Sequence, residues 1–447
     1  MAGGLLTDLY ELNMAASYLR RGMTGQATFS LFARRLPRRR GFLIAAGLED
    51  CLAFLESFSF TSDDLAYLRR SQDYDEATLE RFGRLRFTGD VWAVPEGTAV
   101  FATEPLLEVT APIAEAQLAE TVLLNHITFH TSVATKAARC VLAADGAQLV
   151  DFAFRRTQGI GAGLAVARAS AIAGFTATSN VEAARRYGLT AAGTMAHSFI
   201  EAFGDEEAAF AAFAEDFPGK TTFLVDTYDT EQGIRTAIDV ARKLDLPGPV
   251  GVRLDSGDLN ALARLARRLL DNAGLRQARI FASGSLDEYA IAELVERGAP
   301  IDAYGVGTKM GVSADAPYLD SAYKLVTYNG RPVMKLSAGK ATLPGAKQVY
   351  RGSAGDVLAL RDEPPPAGHQ PLLHPVMRQG KRVDPPEPLA AAQRRCAESL
   401  AWLAPAARAL KTPVPPEVRT SSALAVLRQE LTRGLRRHPA TGPGGSP

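Results

Sequence analysis

The segment Val250–Asp258, which reads Val-Gly-Val-Arg-Leu-Asp-Ser-Gly-Asp, begins as a short apolar run and ends as a polar turn that contains glycine. Short apolar runs of this kind are typical of buried strands. Helical patterns follow the runs, and the later runs recur at intervals of about 25–30 residues, the length of one βα unit. This part of the chain is therefore predicted to be α/β, with strands at Leu149–Phe154, Thr222–Val225, Val250–Leu254, Arg279–Ala282 and Ile301–Val306.

Polar, glycine-rich sequence lies at the carboxyl end of each of these runs. A (β/α) barrel gathers all of its strand ends around one mouth. A doubly wound sheet instead concentrates its chemistry at one switch point and places a glycine-rich loop after its first strand. Neither GxGxxG nor GxxxxGK[ST] occurs in the chain, so we predict a barrel.

The sequence before the barrel predicts a mixed region of helices and short strands. We expect a strand at Gln26–Phe32, a small antiparallel sheet within Val91–Thr110, and helices at Thr7–Arg20, Gly41–Ser57 and Glu115–Leu142. Thr7 or Asp8 is the expected N-cap of the first helix.

The sequence after the barrel turns β-like again. Asn329-Gly330 between apolar runs predicts a hairpin, which we expect to return to the N-terminal sheet. Residues Glu363–Pro388 are rich in proline and predict a long surface loop. We assign residues 1–116 and 323–437 to this mixed region, 117–322 to the barrel and 438–447 to a disordered tail.

Composition excludes several classes of protein. Lys and Arg number 50 and Asp and Glu 49, so there is no overall bias towards nucleic acid, and any phosphate site is local. The three cysteines are widely spaced and lack a zinc-ligand pattern, which favours a reducing compartment. No signal peptide or membrane-spanning run is read. We expect a cytoplasmic protein without protein metal ligands.

Two constellations at the strand ends suggest binding of a sugar phosphate. Alternation along a strand places Arg253 and Asp255 on the same side, although a structural ion pair would look the same. Ser283-Gly284 and the Gly305–Thr308 segment end consecutive strands, where glycines allow backbone N–H groups to approach an anion. Either glycine segment alone is equally typical of a turn.

Two other polar segments are less specific. His197 lies among small residues, and histidine can act as acid, base or phosphoryl acceptor, but a lone histidine is more often structural. Arg155 and Arg156 follow a strand, and at most one of them faces the mouth unless the strand has already ended there.

Taken in order, these segments resemble the nicotinate phosphoribosyltransferase family. The shared text runs from residue 7 to about 351 and includes Thr7-Asp-Leu-Tyr-Glu, Thr135-Lys-Ala-Ala-Arg, Arg155-Arg-Thr-Gln-Gly, Gly193-Thr-Met-Ala-His-Ser, Val225-Asp-Thr-Tyr-Asp, Arg253-Leu-Asp-Ser-Gly-Asp and Gly305-Val-Gly-Thr. The resemblance implies an irregular α/β barrel beside an α/β sandwich built from both chain ends. It also implies synthesis of nicotinate mononucleotide and pyrophosphate from nicotinate and phosphoribosyl pyrophosphate, with ATP as co-substrate and Mg²⁺ as cofactor.

The resemblance assigns roles to particular residues. His197 matches the histidine that ATP phosphorylates, and Tyr10 matches a tyrosine that stacks on nicotinate in the neighbouring subunit of a homodimer. Nicotinate is expected to contact Phe152, Arg155, Ser179 and Arg253. Phosphoribosyl pyrophosphate is expected to contact Asp255, Ser256, Gly257, Ser283, Gly284, Gly305, Gly307 and Thr308.

Ser179 bears on the choice between acid and amide. Related nicotinamide enzymes carry an aspartate at the matching position, where a carboxylate would repel nicotinate and serine would donate to it.

The alternatives to a nicotinate phosphoribosyltransferase are a nicotinamide or quinolinate phosphoribosyltransferase of the same fold, and a non-catalytic nucleotide-binding relative.

Overall fold

The protein is described by a computed structural model that covers residues 3–219, 221–247, 250–337, 342–353 and 355–437. The predicted tail, 438–447, lies outside the described residues. The chain divides into two compact units, Ser132–Pro317 and a chain-end unit made of Met1–Thr131 with Tyr318–Pro447.

The first part of the chain-end unit contains six helices and five strands. The helices are α1 (Leu9–Arg20), α2 (Leu48–Ser57), α3 (Ser62–Ser71), α4 (Glu76–Arg84), α5 (Ile113–Leu118) and α6 (Glu120–Ala143), the last of which continues past Thr131. The strands are β1 (Gln26–Ala33), β2 (Leu43–Ile44), β3 (Asp90–Ala93), β4 (Ala99–Val100) and β5 (Pro105–Pro112).

The Ser132–Pro317 unit alternates strands and helices. Its strands are β6 (Gln148–Asp151), β7 (Ala177–Thr178), β8 (Thr190–Ala191), β9 (Thr222–Leu224), β10 (Gly251–Leu254), β11 (Arg279–Ala282) and β12 (Ala303–Val306). Its own helices are α7 (Ile160–Ala173), α8 (Val181–Tyr187), α9 (His197–Phe203), α10 (Glu206–Asp216), α11 (Thr230–Lys243), α12 (Leu259–Asn272), α13 (Glu288–Glu296) and α14 (Thr308–Gly311).

The chain then returns to the chain-end unit. Its remaining strands are β13 (Ser321–Tyr328), β14 (Arg331–Pro332), β15 (Lys347–Gly352), β16 (Gly355–Leu360), β17 (Gln370–Pro371), β18 (His374–Arg378), β19 (Lys381–Arg382) and β20 (Val418–Thr420). The helices are α15 (Leu389–Trp402), α16 (Pro405–Arg408) and α17 (Ser422–Arg437).

Both chain ends contribute to one antiparallel sheet, in the order β14-β13-β1-β5-β3-β18-β19. The hairpin at Asn329-Gly330 is confirmed, with both turn residues at positive φ, 48° and 72°, as a tight hairpin turn requires. Its first strand pairs with β1, so the predicted return to the N-terminal sheet is also confirmed.

Two predictions in this unit are wrong. The expected helix Gly41–Ser57 contains strand β2 before helix α2, because Gly47, at φ 97°, breaks the helical path. The expected loop Glu363–Pro388 contains three short strands, of which β18 pairs with β3. The register of this pair shifts between Pro375 and Met377, as at a bulge. Proline, which has no backbone N–H, is tolerated at a bulge because not every residue there donates to the neighbouring strand.

The parallel sheet of the Ser132–Pro317 unit has the order β8-β7-β6-β12-β11-β10-β9. This is the cyclic order of a (β/α) barrel opened between β8 and β9, which are not paired within the described residues. The sheet is a curled half-barrel, so the prediction of an α/β fold with a barrel-like parallel sheet is confirmed at that level. All four residues of β10 are buried, as expected for a parallel strand covered on both faces.

An aspartate caps the helix that follows each of three neighbouring strands. The Asp229 side chain accepts from the N–H of Gln232 at 2.8 Å, the Asp258 side chain from that of Ala261 at 3.1 Å, and Asp287 caps α13 in the same way. Such caps satisfy N–H groups that the helix leaves without partners. They fix the loops between the strand ends and the helices.

Gly233 sets the packing of α11 against the end of β9. A Cβ atom on Gly233 would overlap the carbonyl oxygen of Val225, the residue that follows β9. We expect Gly233→Ala to lower the free energy of unfolding by about 1–3 kcal/mol, since this packing has no room for a methyl group.

Gly434→Ala in α17 is the matched control, because a Cβ there meets no atom within 4 Å. It should be neutral or stabilise by up to about 1 kcal/mol through helix propensity. Thermal and denaturant unfolding of both variants measures the difference. Equal stability of the two variants would contradict the packing argument.

Candidate active site

A polar cleft of about 440 Å³ lies at the carboxyl ends of the parallel strands. The residues that line it come from the ends of β6, β7, β10, β11 and β12 and from the segment before α9. They are Phe152, Arg155, Arg156, Ser179, Gly193, Thr194, Met195, Ala196, Arg253, Asp255, Ser283, Gly284, Ser285, Gly305, Gly307 and Thr308. Strand ends far apart in sequence therefore meet at one rim, as predicted.

The guanidinium of Arg253 is the most constrained group in the cleft. Its Nε donates to Ser283 Oγ at 3.1 Å, and its Nη1 donates to Thr194 Oγ1 and, at 3.2 Å, to the carbonyl oxygen of Met195. Nη2 lies 3.4 Å from Asp255 Oδ1, which confirms that the two side chains share one side of the chain. Burial lowers the pKa of Arg253, and the carboxylates of Asp255 and Asp226 oppose this shift.

Asp255 is held in place from three directions. Its backbone N–H donates to Asp226 Oδ2 at 3.0 Å, and its carboxylate accepts from Ser283 Oγ as well as from Arg253. Ser256 Oγ donates to the same Asp226 oxygen at 2.7 Å. The other oxygen of Asp226 is buried without a hydrogen-bond partner among the described residues. A carboxylate oxygen in that state is available to a cation or a ligand donor.

A buried carboxylate at the end of β6 shapes the adjoining part of the cleft. Asp151 accepts from Thr178 Oγ1 at 2.7 Å and from the N–H of Ala153 at 2.8 Å, while its carbonyl accepts from the N–H of Ser179 at 2.8 Å. Burial raises the pKa of Asp151, and these hydrogen bonds oppose the shift. The network turns the chain at Phe152 and places Ser179 on the rim.

Both candidate arginines line the cleft. Strand β6 ends at Asp151, and Phe154–Arg156 forms a 3-10 turn, so strand alternation no longer separates Arg155 from Arg156. From the sequence, both arginines could face the mouth only if the strand had ended before them, and β6 does end before Arg155. Both side chains are exposed, which leaves them accessible to an anionic ligand.

Glycine allows close approach at two places. A Cβ on Gly305 would lie 2.7 Å from the ring of Phe152, so the missing side chain makes room for that ring. The same ring lies edge-on to Phe281 and is 5.9 Å from the Arg253 guanidinium carbon. Gly284, at φ 93°, has no room for a Cβ beside the carbonyl oxygen of Asp255.

Four of the predicted site residues do not line this cleft. Ser256 and Gly257 lie in the exposed turn after Asp255. His197 is the first residue of α9, two residues from Met195, and its Nδ1 lies 3.1 Å from Thr227 Oγ1. Tyr10 belongs to the chain-end unit and is 48% exposed.

Tyr10 lies in the first turn of α1, close to two carboxylates. Burial and the carboxylates of Glu120 and Glu11 raise the pKa of Tyr10. Asp8 is the N-cap residue of α1, one of the two predicted, but within the described residues its side chain makes no capping hydrogen bond and instead accepts from Thr121 Oγ1 at 3.0 Å.

Sequence reasoning assigned no role to Asp226, Thr194 or Asp151. Asp226 follows β9 as Asp255 follows β10, so its position at a strand end was a usable signal. Thr194 lies in the quoted segment around His197, but its contact with Arg253 joins residues 59 positions apart. No local pattern encodes that contact.

The same regions match described protein families. Residues 5–128 match the nicotinate phosphoribosyltransferase N-terminal domain, residues 133–320 match the quinolinate phosphoribosyl transferase C-terminal domain, and residues 366–428 match the nicotinate phosphoribosyltransferase C-terminal domain. The second match covers the parallel sheet and its cleft. Fold and cleft are thus those of the phosphoribosyltransferase class.

Individual relatives narrow this class. A nicotinate phosphoribosyltransferase of Mycobacterium tuberculosis is 49% identical over 387 residues, which cover 85% of this chain and 83% of that protein. The Bacillus subtilis enzyme is 44% identical over 375 residues, 80% of this chain and 76% of the enzyme. The crystal structure of human nicotinic acid phosphoribosyltransferase aligns with a TM-score of 0.84 at 31% identity, over 95% of this chain and 99% of that one.

The chain belongs to the nicotinate phosphoribosyltransferase family, as the resemblance in the sequence predicted. Within the part of the chain that the structure describes, no helix has the length and apolar character needed to cross a membrane.

Substitution of Gly284 tests the geometry of the cleft. We expect Gly284→Ala to weaken binding of inorganic pyrophosphate at least about tenfold, because the new methyl group must displace the Asp255 backbone and with it the Arg253 contacts. Isothermal titration calorimetry at fixed ionic strength measures this change.

Gly188→Ala is the control, since Gly188 also has positive φ, 66°, but a Cβ there meets nothing within 4 Å. Both variants should lose about 1–2 kcal/mol of stability from backbone strain. Gly284→Ala should lose about 1–3 kcal/mol more, because its Cβ overlaps the Asp255 carbonyl oxygen. Only Gly284→Ala should lose affinity. An equal loss of affinity in both would show that the effect comes from stability rather than from Asp255.

Proposed function

We propose that this protein is a nicotinate phosphoribosyltransferase that forms nicotinate mononucleotide and pyrophosphate from nicotinate and phosphoribosyl pyrophosphate in pyridine nucleotide salvage. The observation that carries the proposal is the Arg253–Asp255–Ser283 cluster within a cleft that Arg155 and Arg156 also line. It combines donors for an aromatic acid and for phosphates with a carboxylate for a sugar hydroxyl, all at one rim.

Nicotinate would lie against Phe152 with its carboxylate towards Arg253 and Arg155. Arginine suits a carboxylate because its planar donors match the two oxygens. Ser179 supplies a neutral donor at the same rim, where a carboxylate would repel the acid. The choice of nicotinate over nicotinamide therefore rests on the absence of negative charge at position 179.

The reaction joins the ring nitrogen of nicotinate to C1 of the ribose as the C1–O bond to pyrophosphate breaks. The pyridine nitrogen carries its own lone pair, so the step needs no strong base. Asp255 would orient the ribose through its hydroxyls. Ser283, Gly284, Gly305, Gly307 and Thr308 would surround the phosphates, with Ser256 and Gly257 on the adjoining turn, and stabilise the charge that develops on the leaving group.

Mg²⁺ is the cofactor we propose for this charge. The donors present fit it, because Asp226 keeps one buried carboxylate oxygen without a partner among the described residues, and Asp255 lies next to it. Hard oxygen ligands are those that Mg²⁺ prefers, usually together with substrate phosphates. When bound, the ion would neutralise charge on the departing pyrophosphate.

ATP would act through His197. Its Nδ1 faces Thr227, so we propose that Nε2 accepts the γ-phosphoryl group: the N–P bond forms as the bond to the ADP oxygen breaks, and water later releases phosphate. Thr194 and Met195 join this segment to Arg253. The charge of a phosphoryl group on His197 would thereby be linked, through Thr194 and Met195, to Arg253, which would hold nicotinate.

Three further proposals concern the oligomeric state, the fold of the chain-end unit and the location of the protein. We propose a homodimer in which Tyr10 of a neighbouring subunit completes the nicotinate site, supported by the exposure of its ring. We propose that the chain-end unit is the α/β sandwich of the family, supported by the sheet to which both chain ends contribute. We also propose a cytoplasmic location.

The direct test is an assay with three bases. With phosphoribosyl pyrophosphate, Mg²⁺ and ATP, nicotinate should be converted with a kcat/KM at least about a hundredfold above those for nicotinamide and quinolinate, because a built polar site rejects analogues that leave charges unpaired. Chromatography of the mononucleotide products measures this. Preference for another base would indicate a nicotinamide or quinolinate phosphoribosyltransferase of the same fold. Formation of no product with any base would indicate a non-catalytic relative.

Replacement of His197 tests the role of ATP. His197→Ala should abolish the stimulation by ATP and the ATPase activity while retaining slow transfer without ATP, because the cleft keeps Arg253 and Asp255. Rates with and without ATP, together with ³²P incorporation, measure this. His374→Gln, which removes an exposed histidine of the chain-end unit, is the control and should behave as wild type. Loss of both activities in His197→Ala would refute this division of roles.

A further inference from the structure

Three metal-binding side chains meet in the chain-end unit, apart from the cleft. The candidate ligand atoms of Asp50, His126 and His130 all lie within 4.8 Å of one another. We propose that they form a binding site for a divalent transition-metal ion, with Zn²⁺ as the representative, that joins helices α2 and α6. The proposal does not depend on the proposed function, since none of the three residues belongs to the cleft.

The helical positions explain why the two imidazoles converge. His126 and His130 are four residues apart on α6, so they lie on the same face one turn apart. Their ring centroids are 5.5 Å apart and their planes are nearly perpendicular, at 88°. Two histidines at this spacing on one helix are a recurrent way to hold zinc.

The carboxylate comes from the facing helix. Asp50 lies in the first turn of α2, and its Oδ2 is 3.5 Å from Nδ1 of the buried His130. Two ligands of a tetrahedral ion, each about 2.1 Å from it, are separated by about 3.4 Å, so this pair already has the spacing of two ligands of one ion. The separations in the set are at most 4.8 Å, so a side-chain movement of up to about 1.4 Å brings His126 to the same spacing.

The backbone holds the two helices at this distance. A Cβ on Gly47, the residue before α2, would lie 2.8 Å from the carbonyl oxygen of His126 and 3.2 Å from Cβ of His130. Glu96 accepts from the N–H groups of Gly47 and Leu48, at 2.6 and 3.0 Å. The start of α2 is therefore fixed against α6 before any ion binds, and a preorganised site loses less entropy on binding.

The donor set selects the class of ion. Two imidazoles and one carboxylate suit Zn²⁺ and its neighbours in the first transition row, whereas Mg²⁺ prefers oxygen ligands alone. Asp50 and His126 are half-buried, so water can occupy a fourth position.

A simple ion pair between Asp50 and His130 is the competing interpretation. It explains one contact of 3.5 Å and gives no role to His126. The metal site uses all three side chains, so removal of His126 separates the two interpretations: it should abolish tight zinc binding and leave the pair intact.

The test uses the full chain, freed of metal by a chelator, with a reductant to protect thiols and excess Mg²⁺ to occupy carboxylate sites. Titration with Zn²⁺ should show one equivalent, and Zn²⁺ should raise the thermal midpoint because it binds the folded state. His126→Gln, His130→Gln and Asp50→Asn should each weaken binding at least about tenfold. His374→Gln is the matched control and should bind as wild type.

Activity and circular dichroism of each variant report whether it is folded. X-ray absorption of zinc-loaded wild type gives a measurement that needs no variant, and it should show two imidazoles in the first shell. Absence of a stoichiometric site, unchanged affinity in His126→Gln, or a zinc shell without histidine would each overturn the proposal. None of these outcomes bears on the assay with three bases, so the two proposals fail independently.

Discussion

A buried guanidinium at the end of strand β10 is the constraint around which the cleft is organised. Burying a charge is costly unless hydrogen bonds and a counter-charge replace water. Arg253 meets this requirement through Ser283, Thr194 and the carbonyl of Met195, with Asp255 beside it. These partners lie on three separate parts of the chain, and only the parallel sheet brings them to one rim. The position of Arg253 therefore depends on the order of strands in the parallel sheet, and the geometry of the cleft depends on Arg253.

In the chain-end unit, a buried cluster of charged side chains joins two distant parts of the sequence. Glu108 on β5 is fully buried, and its carboxylate accepts from the N–H of Lys347 at 2.8 Å and pairs with the Lys347 Nζ at 3.3 Å. Arg361 pairs with the same carboxylate. Burial lowers the pKa of Lys347, and Glu108 opposes this shift. Removal of Glu108 would leave two cations without their shared counter-charge, so this carboxylate ties β5 to the distant segments that carry Lys347 and Arg361.

The sequence predicted the features that local chemistry controls. The strand ends, the shared side of Arg253 and Asp255, and the hairpin at Asn329-Gly330 follow from alternation and turn preferences, which act over a few residues. The same reasoning failed for the helix at Gly41–Ser57 and for the loop Glu363–Pro388. There the short strands β2 and β18 exist only because distant partners pair with them. Thr194 was missed for the same reason, since its contact with Arg253 is tertiary. Asp226 is different, because it follows strand β9 and its place at a strand end was visible in the sequence. Local pattern thus predicted the elements that do not depend on distant partners, and the short strands that do depend on them required the structure.

The placement of charged groups within the cleft explains how a nearly neutral protein would select phosphate and aromatic acid ligands. The net charge is +1, so long-range attraction contributes little to the capture of substrate. Within the cleft, the carboxylate of Asp255 is engaged by Arg253 and Ser283, and one oxygen of Asp226 by Ser256 and a backbone N–H. Arg155 and Arg156 are exposed at the same rim, and Ser179 adds no negative charge. Three arginines and one aspartate line the cleft, so the formal charge of its lining side chains is positive. The proposed selectivity for the acid would then follow from which charges are already neutralised inside the site, a property that total composition does not reveal.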